Sequence, residues 1–291
     1  MSRNRDRLGM PNTQPEPADP PPQVLQQQQT EPEQSGFSFV VPTEFVEIPS
    51  QGKYYPDNHP LSNQDTIEIK QMTAKEEDML TSRTLLRKGI ALERVMQSLI
   101  VDKRISPNTL LVGDRNAILI AARISGYGAD YETNITCPQC GTTQGHTFDL
   151  IDATQVRHSE IDTNQITANE DGTFTATLPA TKVEVSFRLL TGNDEKNLLN
   201  QIENARKSKK EENTITRQLK QFIVSVNGDA TQETINYLVN NVPSSDSRYL
   251  RNLFARVTPD VNLTQNFECS ECNYDSVMEV PLTADFFWPD R

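Results

Sequence analysis

The sequence predicts an α+β chain: a helical core with β-hairpins that form a two-knuckle, zinc-ribbon-like site, and a second α/β subdomain inserted between the knuckles. Three observations carry this. Two CxxC pairs, Cys137/Cys140 and Cys269/Cys272, each lie between strand-like segments. From Thr73 onward, apolar residues recur at helical spacing behind recognisable start and stop signals. The stretch separating the two pairs, residues 141–268, is too long to be a structureless loop and must supply elements of its own.

Residues 1–36 read as a disordered Pro/Gln-rich tail. Pro11, Pro15, Pro17, Pro20, Pro21, Pro22 and Pro32 fall here, with a glutamine run from Gln26 to Gln29. Such a segment cannot bury enough apolar surface to offset its ordering entropy. A tether that orders on a partner is the alternative.

An N-terminal α+β region covers 37–150. Its β-rich start is punctuated by Pro42, Pro49 and Pro56, and Ile67 and Ile69 alternate with polar neighbours as a strand requires. Thr73 and Glu76 form a capping box, after which Met79 and Leu80 begin an apolar face. Gly89 interrupts it, and Ile90, Val95, Met96, Leu99 and Ile100 follow at helical spacing. Asp114 is placed to cap a third, mostly apolar and so buried, helix that Gly126 and Gly128 end. Tyr131–Thr136, a tight turn at Cys137–Gly141 and Gly145–Leu150 make the first hairpin.

The inserted subdomain covers 151–260. Residues 151–171 are polar and read as a loop. Thr173–Leu178 and Lys182–Leu189 read as strands joined at Pro179-Ala180. Asp194 opens a helix with Leu198, Leu199 and Ile202, and the charged run Arg206–Glu212 reads as a solvated face. The next helix takes in Ile215, Leu219, Phe222, Ile223 and Val226, stopped by Asn227-Gly228. A shorter helix spans Thr231–Asn240, and Ser244 to Asp246 can cap another bearing Leu250, Leu253 and Val257. Residues 261–291 supply the second hairpin, Val261–Glu268 and Tyr274–Val280, and an aromatic terminus, Phe286, Phe287 and Trp288. That terminus either packs back on the chain or anchors a partner, since Trp is enriched at interface hot spots.

The chemistry concentrates in the cysteines. CxxC in a tight turn points two sulfurs to one side, and two such knuckles face to face offer four thiolates at about 2.3 Å from a zinc ion. TNITCPQCGTTQGHTFDL and TQNFECSECNYDSVMEVPL flank the pairs in matching fashion, as pseudo-symmetric hairpins would. The predicted cofactor is structural zinc, held by Cys137, Cys140, Cys269 and Cys272; disulfide, redox and unligated thiols are the alternatives. Four sulfurs close the coordination shell, whereas catalytic zinc keeps a position open. His146 either takes part near the site or is a strand surface residue.

The formal net charge of -12 disfavours nucleic acid as a partner, because phosphate binding needs clustered Lys and Arg. No apolar run approaches the roughly 20 residues of a membrane span, and the first residues lack the apolar stretch of a signal peptide. Hence a reducing cytoplasm is expected. With three His there is little raw material for a Ser-His-Asp or Cys-His site, and no GxxxxGK[ST], GxGxxG, GxSxG or HExxH pattern occurs. No enzymatic activity is expected. The principal alternative function is a zinc-ribbon nucleic-acid-binding or transcription accessory protein. Against it, the knuckles carry Gln139, Glu268, Glu271 and Asp275 rather than basic residues.

GKYYPDNHPL, IEIKQMTAKEEDMLTSRTLLRKG, VGDRNAILIAARISGYGADY and CPQCG, in that order, resemble the baseplate hub subunit family of T-even-type contractile-tailed bacteriophages. RLLTGNDEK, SSDSRYLR, the second CxxC and FFWP continue the resemblance, which runs from about Phe37 to Arg291. It implies a structural or assembly role in the virion tail baseplate, with assembly in the host cytoplasm. The implied partners are other tail and baseplate hub proteins, the tape measure protein among them.

Overall fold

The structure, a computed structural model, describes residues 39–208, 213–282 and 284–287. The tail assigned to residues 1–36, part of the charged run at 209–212, and Trp288 lie outside the described residues. From Val41 onward the chain is one compact unit.

The first strands, β1 (Thr43–Glu47) and β2 (Thr66–Lys70), pair antiparallel, with Val46 opposite Ile67. The capping box forms as read: Thr73 and Glu76 satisfy each other's backbone at the start of α1 (Ala74–Thr81). The apolar run then breaks twice rather than once. Ser82 caps the short α2 (Arg83–Arg87), and Gly89, at φ 64°, turns the chain into α3 (Ala91–Leu99). Glu76 is fully buried and accepts from Ser98, Thr73 and Lys70. Burial raises its carboxyl, but those hydrogen bonds outweigh the burial and hold it at about 2.

The central helix, α4 (Val112–Tyr127), begins two residues before the expected cap. Asp114 is not a cap. It is a buried carboxylate that accepts from the Ser50 amide (2.9 Å), the Ser50 hydroxyl (2.6 Å) and the Tyr55 hydroxyl (2.7 Å). Burial pushes its carboxyl up despite these donors. Gly113 lies so close to the Pro259 carbonyl that any Cβ there would collide with it. The helix ends at Gly128, as predicted.

The first hairpin is β3 (Asp130–Thr136) paired with β4 (Thr143–Asp149). The supposed loop that follows contains α5 (Leu150–Ala153), β5 (Val156–Arg157) and β6 (Thr167–Ala168), with Ile166 buried. Next come β7 (Thr173–Thr177), β8 (Glu184–Arg188), α6 (Gly192–Lys207) and α7 (Thr214–Phe222). The predicted continuation of α7 through Val226 is instead a strand, β9 (Ile223–Val226), which pairs with β8 and completes a sheet in the order β6-β7-β8-β9. Its β-branched residues suit that role. Asn227 and Gly228, both at positive φ, make a hairpin-type turn rather than a helix stop.

Then follow α8 (Gln232–Asn241), α9 (Ser244–Val257), β10 (Asp260–Val261), which pairs with β5, and the second hairpin, β11 (Thr264–Glu268) with β12 (Asp275–Glu279). Asp246 does not cap α9. It accepts from the amides of Ala180 and Thr181, clamping the β7–β8 turn. A 3-10 turn at Ala284–Phe287 closes the described chain.

One large apolar core runs through all of this except the hairpin tips. Phe174 stacks on Phe187 and Phe222 on Phe254, Phe187 meets Phe222 edge to face, and Tyr54 reaches Phe174 from the N-terminal region. The segment between the hairpins is therefore an insertion in connectivity that shares the common core. No helix among the described residues is long and apolar enough to cross a membrane.

Candidate metal centre

The two hairpin tips meet. Cys137, Cys140, Cys269 and Cys272 place their sulfurs within 4.8 Å of one another, although the pairs are far apart in sequence. The Cys137–Cys272 and Cys140–Cys269 sulfurs are 3.7 Å apart. A disulfide requires about 2.05 Å, and all four cysteines are free. A tetrahedron with metal–sulfur bonds of about 2.3 Å has edges of about 3.8 Å, so the set fits one tetrahedral ion. Four sulfur donors in that geometry select zinc or iron over calcium and magnesium.

The turns themselves repeat one backbone pattern. The Cys137 amide donates to the Thr142 carbonyl, and the Gly141 amide donates back to Cys137. In the second tip, the Cys269 amide donates to Tyr274 and the Asn273 amide to Cys269. Gly141 (φ 75°) and Asn273 (φ 53°) occupy the same left-handed position, the conformation that glycine and asparagine accept most easily. The equivalence extends outward. Ile135 and Phe267, each two residues before its first cysteine, pack together beneath the sulfurs.

The Cys140 and Cys272 thiols are pushed in opposite directions. The Thr142 hydroxyl and amide lower the Cys140 thiol to about 6. Burial pushes the Cys272 thiol up to about 12, against the Tyr274 amide and with the neighbouring thiols adding to the rise. Four thiols this close do not ionise together unless a cation shares their charge.

Two glutamines that sequence reasoning missed stitch the hairpins side by side. The Gln144 side chain donates to the Glu268 carbonyl (2.9 Å) and accepts from the Ser270 amide (2.9 Å). In return, Gln265 accepts from the Asp149 amide (3.0 Å) and donates to its carbonyl (2.5 Å). Only their inward register on facing strands could have marked them. His146 stands apart from the sulfur cluster, with its ring against Phe148 and Phe267 at 4.5 and 5.5 Å.

The described part of the aromatic terminus, Phe286 and Phe287, is part of the scaffold. Phe286 and Phe287 are 1% and 0% exposed, so in this fold they are internal packing groups rather than exposed partner anchors. Arg123, also 0% exposed, fastens them. Its guanidinium donates to the carbonyls of Phe286 (2.9 Å), Gly128 (2.7 Å) and Asp130 (3.0 Å) and lies against the rings of Tyr127 and Tyr131. One side chain of α4 thus ties the Phe286 backbone to the root of the first hairpin. An arginine inside the apolar run of α4 was the available signal for it.

Fold and site together define a mixed α and β protein whose paired hairpins bring together four cysteines that could hold one metal ion. The chain belongs to the T4 bacteriophage base plate protein family, whose sequence model matches residues 42–288 and so spans all four cysteines and both buried phenylalanines. No curated protein and no solved structure matches it.

Proposed function

We propose that this protein is a structural, non-catalytic component of the tail baseplate hub of a contractile-tailed phage, with one zinc ion held by Cys137, Cys140, Cys269 and Cys272. The family match over residues 42–288 carries the baseplate reading. The sulfur geometry supports zinc as a staple: it joins two sequence-distant tips and leaves no coordination position for a substrate or an activated water. The hub position rests on the motifs shared with the hub subunit family, and its partners are then other hub proteins and the tape measure protein. Assembly takes place in the host cytoplasm, where reducing conditions keep the thiols available for metal.

The surface around the tips carries exposed Gln139, Glu268, Glu271 and Asp275, the wrong sign for a phosphate backbone. Cross-linking in infected cells, followed by mass identification of the partners, tests this reading. Recovery with hub and tape measure proteins is expected. Recovery with polymerase, or with no tail protein, would overturn it.

A further inference from the structure

We propose that the free edge of β1 is a strand-addition site for an extended, cationic segment of a partner protein. This does not involve the cysteine cluster. It takes from the baseplate reading only that the chain works among other proteins.

The hydrogen-bond phase of β1 fixes which groups are free. The Gln71 amide donates to the Pro42 carbonyl and the Ile48 amide to the Asp65 carbonyl. In an antiparallel ladder the bonded pairs alternate, so Glu44 and Val46 face Ile69 and Ile67 with their backbone groups. Thr43, Phe45 and Glu47 then turn their amides and carbonyls away from β2. An independent bond agrees: Glu68, the residue opposite Phe45, uses its carbonyl on the far side of β2, where it accepts from the Val101 amide.

This unpaired edge borders a groove of about 270 Å³. Its floor is Ala117, Ile120 and Ala121 of α4 with Val261, an apolar bed of mostly small side chains. Phe45 stands 72% exposed at the rim, an aromatic ring with little of its surface covered. Glu44 also lines the groove, and its Oε1 is buried with no hydrogen-bond partner among the described residues. A buried acceptor of that kind carries an uncompensated desolvation penalty until a donor reaches it. An incoming strand would supply what each part lacks: backbone bonds for the edge, apolar side chains for the floor, and a Lys or Arg for Glu44.

Charge selects among occupants. Pairing β1 with β1 of a second copy would add two more glutamates to the seam and bring no cation to the buried Glu44 Oε1. Acidic residues on an exposed edge block self-association. They also leave the edge open to a segment of opposite sign, in a chain whose net charge is -12.

The experiment uses the full chain and an eight-residue peptide of alternating valine and lysine, read by amide hydrogen exchange and fluorescence anisotropy. The peptide is expected to slow exchange at the Thr43, Phe45 and Glu47 amides at least 10-fold. The same peptide with glutamate in place of lysine, or with alternate backbone amides methylated, is expected not to. Phe45→Pro removes an outward-facing amide and leaves the β2 bonds, and it should abolish the protection. Ala121→Arg, which obstructs the groove floor, should do the same without touching the strand. Protection absent from β1, equal protection by the lysine and glutamate peptides, or β1 protection that grows with protein concentration as dimer forms would each overturn the proposal.

Discussion

In the body of the protein, the rings of Phe174, Phe187, Phe222 and Phe254 meet in turn at an apolar core that also takes in Ile48 and Phe287, over two hundred positions apart in a 291-residue chain. At the hairpin tips the fully buried set shrinks to Cys137, Phe267 and Cys269. The hairpin roots belong to the body, since Tyr131 and Phe148 are buried there, whereas residues nearer the turn alternate between exposed and half-buried. The body therefore has enough buried apolar surface to fold by hydrophobic burial. The tips have only a small satellite cluster, two glutamine stitches and the four sulfurs that the proposed zinc would join.

Removing the metal breaks this comparison most directly. With a strong chelator, or with all four cysteines changed to serine, amide exchange near Ile135 and Phe267 should accelerate about 1,000-fold or more, because structural zinc binding is itself folding free energy. Amides at Tyr131 and Phe148 should keep most of their protection, and α4 should be unaffected. Uniform loss across the chain would mean that tips and body are one cooperative unit.

Arg123→Met sharpens the comparison from the body's side. It leaves the carbonyls of Phe286, Gly128 and Asp130 without their donor, and a cost of roughly 3–5 kcal/mol is expected in denaturant unfolding. Metal stoichiometry should not change. Gly113→Ala drives a Cβ into the Pro259 carbonyl and should cost about 1–3 kcal/mol by the same measurement, again without metal loss.

Glu76→Gln adds a pH signature. The Glu76 carboxyl is held at about 2 in the folded chain against an ordinary 4.5. A lowered folded value contributes stability that is complete above the ordinary value and fades as pH falls towards the folded one. The variant should therefore lose on the order of 2–3 kcal/mol at pH 7, and the gap should close between about pH 4.5 and pH 2. The smallest effect belongs to His146→Ala. Because the four sulfurs complete the ligand set without it, metal content should stay constant.

The difference between the regions also decides what could be read in advance. The tips were legible because their determinants are local: a CxxC, a residue at left-handed φ four positions after the first cysteine, and alternating strands on either side. The capping box at Thr73 and Glu76 was legible for the same reason. Asp114 and Asp246 look like caps in sequence, but each is occupied by groups 59 to 66 positions away, Ser50 and Tyr55 for one, Ala180 and Thr181 for the other. Ile223 and Val226 continue the helical spacing of α7, so periodicity alone could not reveal that β8 recruits them as a strand. Gln144 and Gln265 act entirely through long-range partners and have no local signature, and Arg123 stands out only as a charge inside the apolar run of α4.

Metal analysis of the purified full-length chain, coupled to thiol titration under native conditions, bears most directly on the staple. One zinc per chain with all four thiols protected, and their release together with the metal on chelation, is the predicted result. A chain without metal whose four thiols react freely while the hairpin tips stay protected from exchange would contradict it.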